Sequence, residues 1–116
     1  MKFVSLNCRG LASTRKKLAL KRMMEVLSPE FILLQETMGP ELEVETSLTS
    51  LLPQYSFTAQ SAIGHSGGLA IGWKKTSIQC TNSWASPIGL GTHLCWAEIN
   101  RTLTIVNIYG PYSNKS

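Results

Sequence analysis

Apolar and polar positions divide the chain into an α/β opening and an all-β remainder. Phe3, Val4 and Leu6 supply apolar bulk over Lys2–Cys8, which predicts a strand broken by Arg9-Gly10. Leu20, Met23, Met24 and Leu27 then recur at i, i+3, i+4 and i+7. That spacing predicts a helix over Leu11–Leu27, with Ser13 or Thr14 capping its start and Ser28-Pro29 ending it. Glu30–Glu36 reads as a second strand, and its unbroken Phe31-Ile32-Leu33-Leu34 run predicts burial on both faces. Strand, helix, strand over this length favours parallel pairing. Met38–Leu52 is ambiguous, with a short helix between the breaks at Gly39-Pro40 and Pro53. Five runs rich in β-branched and aromatic residues follow: Tyr55–Gln60, Leu69–Trp73, Ser77–Trp84, His93–Asn100 and Thr102–Tyr109. Turn signals at Gly64–Gly68, Lys74-Lys75 and Pro87–Gly91 separate them, and Asn100-Arg101 reads as a tight hairpin turn.

Composition narrows the class. A chain of 116 residues with 43% apolar and 16% charged positions is one globular domain. Its net charge of +4 suits contact with phosphate without requiring it. All seven acids are glutamates. Cys8, Cys80 and Cys95 are odd in number and lack close metal spacing, so they read as reduced thiols in an intracellular protein, nuclear or cytoplasmic. No signal peptide is visible, and no segment approaches the length of a membrane span.

The candidate chemistry sits at the ends of the first two strands. Asn7 and Glu36 each follow an apolar run, and in an open α/β sheet the carboxyl ends of strands face the ligand crevice. Both offer hard oxygens suited to Mg²⁺ or Mn²⁺. The words around them are Asn7-Cys8-Arg9-Gly10-Leu11, Leu34-Gln35-Glu36-Thr37, Ser66-Gly67-Gly68-Leu69-Ala70-Ile71-Gly72-Trp73 and Asn107-Ile108-Tyr109-Gly110-Pro111. Together and in this order they resemble the endonuclease/exonuclease/phosphatase superfamily, nearest to the endonuclease domains of LINE-type retrotransposons common in plants. The resemblance covers nearly all of the chain and about the first half of a family domain. It implies a metal-dependent phosphodiesterase or DNA endonuclease. Glu36 is then a direct ligand of Mg²⁺ or Mn²⁺, Asn7 orients a metal-bound water or a phosphate oxygen, and Tyr109 positions the scissile phosphate. Ser66–Gly68 becomes a tight turn whose glycines serve backbone geometry. The implied fold is half of a four-layer α/β sandwich: one mixed β-sheet with helices on its outer face, and the opposite face open.

The same resemblance sets a departure. The family's second half supplies aspartates, an asparagine and a histidine, whereas no aspartate occurs in these 116 residues. The expectation is a truncated domain over residues 1–116, inactive alone, that self-associates or has its open sheet face covered by a partner. His65 and His93 read as incidental to the chemistry. Arg15, Lys16, Lys17, Lys21 and Arg22 place five bases on one helix. They make either a solvated face or, with Arg9, a phosphate-contacting surface for DNA. A non-enzymatic nucleic-acid- or partner-binding remnant of a retroelement endonuclease is therefore the alternative reading.

Overall fold

The structure, a computed structural model, describes residues 1–61 and 67–109. β1 (Phe3–Asn7) and β2 (Phe31–Gln35) pair in parallel, with Phe3 opposite Phe31 and Asn7 opposite Gln35. α1 (Thr14–Leu27) makes the crossover. The Ser13 side chain accepts from the Lys16 N–H, a cap worth about 1 kcal/mol, which is why the helix begins at Thr14 and not at Leu11. It ends at Ser28, which is left-handed and returns its N–H to the Met24 carbonyl. Only Leu20 and Met24 of the predicted stripe are buried. Met23 and Leu27 are 37% and 38% exposed, because α1 meets the sheet along a narrow line.

α2 (Glu41–Leu51) leads into β3 (Tyr55–Gln60) and β4 (Leu69–Lys74). These complete a mixed sheet in the order β1-β2-β4-β3, whose later pairs are antiparallel. Ile32, Leu34, Phe57 and Ala70 face Leu20, Met24, Val44 and Leu48 of the two helices and form one core. Helices on the outer face of a mixed sheet match the expectation.

The chain from Ile78 onward builds a second sheet, which the sequence pattern did not separate from the first. β5 (Ile78–Ser86), β6 (Gly89–Trp96) and β7 (Arg101–Ile108) form an antiparallel sheet in that order. Its inner face packs on the first sheet. Phe31, Leu69, Ile71 and Trp73 meet Leu90, Leu94, Trp96 and Ile105 in a second core. The inner face of the mixed sheet, expected to stand open, is thus covered along β2 and β4. Phe31, Ile32 and Leu34 have no exposed surface, as burial on both faces requires.

Two local readings shift. The turn predicted at Pro87–Gly91 shortens to Pro87-Ile88, and Gly91 is already inside β6. A Cβ on Gly91 would come within 2.3 Å of the Trp84 indole, so this glycine seats an aromatic ring instead of marking a turn. The strand predicted over His93–Asn100 ends at Trp96, after which Ala97–Ile99 coil into a 3₁₀ turn closed by left-handed Asn100.

A buried amide ties the two sheets together. Asn107 on β7 is 2% exposed. Its Nδ2 donates to the Leu34 carbonyl of β2 at 2.9 Å and to the Ala70 carbonyl of β4 at 3.0 Å. Its Oδ1 accepts from Gln35 Nε2 at 3.0 Å. Losing these bonds takes a donor from two buried carbonyls in a low-dielectric layer, while half-buried Gln35 keeps its bond to Ser5. Asn107→Ala is expected to lower stability by about 2–4 kcal/mol in urea unfolding, against less than about 1 kcal/mol for Val106→Ala on the exposed side.

Candidate active site

Both strands that carry the candidate residues end in left-handed backbone. Arg9 and Gly10 after β1, and Glu36 and Met38 after β2, all have φ between 51° and 91°. Three of the four are not glycine, and such a conformation costs about 1–3 kcal/mol unless its surroundings hold it. The surroundings do. The Cys8 N–H donates to the Gln35 carbonyl and the Gly10 N–H to the Glu36 carbonyl, each at 2.8 Å, so the two loops continue the strand pairing. From the other side, the Thr37 and Met38 N–H groups donate to the Gly68 and Gly67 carbonyls. A Cβ on Gly67 would lie 3.0 Å from Glu36 Cα. Only glycine lets this segment approach so closely, as expected for the turn glycines.

The loops bring Asn7 and Glu36 together. Asn7 Nδ2 donates to Glu36 Oε2 at 2.8 Å, while Asn7 Oδ1 accepts from the Arg9 N–H at 3.1 Å. The second bond fixes the amide's orientation, since a backbone N–H can only donate. Asn7 therefore holds the carboxylate, and Glu36 Oε1 has no hydrogen-bond partner among the described residues. Glu36 is half-buried and Asn7 exposed. Among the described residues no group of three His, Cys, Asp or Glu gathers within metal-holding range. One hard carboxylate oxygen at an open strand end nevertheless fits the way Mg²⁺ is commonly held, by one or two carboxylates with waters and substrate phosphates completing the shell.

Of the predicted basic residues, Lys16 reaches this site: its Nζ donates to the Arg9 carbonyl at 2.6 Å. Arg9 contributes through its backbone, and its side chain is exposed. Arg15 and Arg22 are exposed on α1, whereas Lys17 and Lys21 are half-buried. Lys17 lines a recess of about 170 Å³ with Leu11, Thr37, Glu43 and Ser47. Tyr109 sits at the same end of the sandwich, but its hydroxyl donates to the Ser61 carbonyl at 3.4 Å, beyond β3. Burial raises its pKa. His65 and Ser66 lie outside the described residues, as do Gly110 and Pro111. His93 faces away from the site, on the outer side of β6, with Nδ1 2.9 Å from Thr104 Oγ1.

Three residues at this end went unread as site residues. Gln35 links Ser5 to Asn107, so a row of polar side chains runs from β1 across β2 to β7 beside the Asn7–Glu36 pair. Thr37 is 2% exposed, and its hydroxyl has no hydrogen-bond partner among the described residues. The signal for Gln35 was available in its register opposite Asn7. Nothing local announced Asn107, because its partners are 73 and 37 residues away.

Comparison with known proteins decides the architecture. No protein-family profile and no curated protein sequence matches the chain. Solved structures do. The AP endonuclease LMAP from Leishmania major is 27% identical with a TM-score of 0.66, over 93% of this chain and 39% of that one. D. rerio TDP2, complexed with a single strand DNA product, gives 16% identity and a TM-score of 0.70, over 91% of this chain and 44% of that one. An endonuclease/exonuclease/phosphatase from Bacteroides vulgatus gives 11% and 0.70, over 91% and 51%. The fold is part of an endonuclease/exonuclease/phosphatase domain. The chain spans 39–51% of the length of these structures.

Within that partial endonuclease/exonuclease/phosphatase fold, Cys8 reports on the site loops. Burial pushes its thiol up from the ordinary 9.0 to about 11; the nearby Lys16 charge opposes the shift and Glu36 adds to it. The folded protein keeps this proton where the unfolded chain has lost it. Stability is therefore unaffected by Cys8 below pH 9 and falls as pH rises from 9 towards about 11. Urea midpoints across that range are expected to fall less steeply in Cys8→Ala than in the wild type.

Proposed function

We propose that the chain carries the carboxylate end of a metal-dependent phosphodiesterase site that acts on nucleic acid. The observation behind this reading is the Asn7–Glu36 pair, held at two adjacent strand ends by the Cys8 and Gly10 N–H groups that donate to the Gln35 and Glu36 carbonyls, with one Glu36 oxygen uncommitted among the described residues. Mg²⁺ or Mn²⁺ would be held through Glu36, with Asn7 fixing the carboxylate's rotamer. A bound divalent cation supplies positive charge to the oxygens of a phosphodiester. Lys16, tied to the Arg9 carbonyl, keeps a second positive charge beside the pair. Tyr109 lies at the same end of the sandwich, and to position a phosphate here its hydroxyl would have to leave the Ser61 carbonyl. The LINE-type likeness rests on the motif words and their order, and DNA as the substrate polymer belongs to that likeness. An intracellular setting, where the three free cysteines stay reduced, belongs to the same proposal.

The 116 residues alone do not complete such a site. They contain no aspartate, and a general base must lie within hydrogen-bond reach of its water. Removing such a group lowers rates by orders of magnitude. A second reading, nucleic-acid binding without chemistry, draws on the exposed Arg15 and Arg22 of α1, on the helix that Lys16 ties to the site.

Fluorescence anisotropy with labelled DNA and nicking of supercoiled plasmid test both readings together. The expected result is affinity that falls steeply with salt. Arg15→Ala and Arg22→Ala should each reduce the log–log salt slope by about 1 for every phosphate contact removed. Plasmid should stay intact with wild type and Glu36→Gln alike. Nicking by wild type that Glu36→Gln abolishes would overturn the incompleteness of the site. DNA affinity absent at low salt would remove nucleic acid from both readings.

A further inference from the structure

Glu36 and Met38 flank Thr37 in the loop after β2, and both have left-handed backbone, with φ of 54° and 57°. Glycine adopts this conformation freely and methionine only at a cost, so a methionine here calls for a reason in its side chain. Burial in a core does not supply one, because Met38 belongs to neither of the two cores.

The side chain instead runs across the site loops, between two glycines. A Cβ on Gly10 would lie 3.8 Å from Met38 Cγ, so the near end of the methionine rests in ordinary contact distance of the loop after β1. A Cβ on Gly67 would lie 2.7 Å from Met38 Sδ, so the thioether fills the space that any side chain at 67 would need. The same added atom would stand 3.2 Å from Glu36 Cβ. Met38 Sδ and Glu36 Cβ therefore crowd Gly67 from one side. The Gly67 carbonyl also accepts from the Met38 N–H, so backbone and side chain of one residue grip the same turn.

We propose that Met38 is a positioning residue for the Glu36 carboxylate. Asn7 holds the tip of Glu36 through Oε2, and Met38 holds its base by filling the gap between Gly10 and Gly67. Without that filling, two glycines would face a void from opposite sides, and glycine is the backbone least able to resist moving into it. The loop could then relax from the left-handed turn that aims Glu36 at Asn7 and at a divalent cation. This inference rests on the reading of Glu36 as a metal carboxylate and adds the residue that keeps it aimed.

Mn²⁺ titration followed by the electron paramagnetic resonance of the free ion tests it. The Asn7 side-chain amide signals and the urea midpoints of the metal-free proteins are recorded alongside. Met38→Ala is expected to weaken Mn²⁺ binding about tenfold and to move the Asn7 Nδ2 proton signals towards those of an unbonded amide. Met38→Gly separates side chain from backbone. It removes the cost of the left-handed turn, so its urea midpoint should equal or exceed that of Met38→Ala while its Mn²⁺ binding stays as weak. Met38→Leu, whose Cδ lies as many bonds from the backbone as Sδ does, should restore most of the affinity. Wild type that binds no Mn²⁺, or binds it equally well as Glu36→Gln, overturns the metal reading and this proposal with it. Binding lost in Glu36→Gln but kept in Met38→Ala and Met38→Gly overturns the positioning role alone. So does a loss in Met38→Ala that Met38→Gly recovers, because backbone conformation and not the side chain would then set the affinity.

Discussion

Asn107 holds this sandwich in register. Its amide donates to buried carbonyls of two different strands of the opposite sheet and accepts from half-buried Gln35. Apolar contacts between the sheets are numerous but non-directional; they bring the layers together without fixing how they slide. A buried, fully bonded amide is directional, and any shift of one sheet against the other breaks it. The bond also lies one residue from Glu36. The same contact that positions β7 therefore steadies the end of β2, where the candidate chemistry sits. The polar row Ser5, Gln35 and Asn107 carries that constraint across to the end of β1 and Asn7.

Much of this was legible in the sequence, and the reason differs from element to element. The first strand, the helix and the second strand were readable because local signals coincide there: a cap at Ser13, helical spacing at Leu20 and Met24, and an apolar run long enough for a doubly buried strand. The adjacency of Asn7 and Glu36 followed from the same unit, since parallel strands in register place their carboxyl ends side by side. The split into two sheets was not legible, because strand texture is the same whichever sheet a strand joins. Gly91 was misread as a turn residue because a glycine that accommodates an indole and one that bends the chain look alike in isolation. Asn107 was quoted as part of a motif, yet its role depends on carbonyls that only the tertiary fold brings near.

The structure also refines what Asn7 does. Its hydrogen bonds turn its nitrogen, not its oxygen, towards Glu36. The pair acts as one unit in which an amide steadies a carboxylate, and the left-handed loops on both sides keep that unit at the strand ends. The arrangement is coherent by itself. It has a defined carboxylate, a nearby lysine and a backbone that holds an unusual conformation through bonds from two directions. The chain covers 39–51% of the endonuclease/exonuclease/phosphatase structures it matches, so this pair sits within part of a larger recognised architecture.

The central claim is that Glu36, steadied by Asn7, is where a divalent cation meets this chain. Paramagnetic broadening of backbone amide signals by sub-stoichiometric Mn²⁺ tests it without requiring activity. The account predicts loss of signal centred on Asn7, Cys8, Glu36 and Thr37, reversed by excess Mg²⁺ and absent in Glu36→Gln. Broadening centred elsewhere, or unchanged in Glu36→Gln, would contradict it.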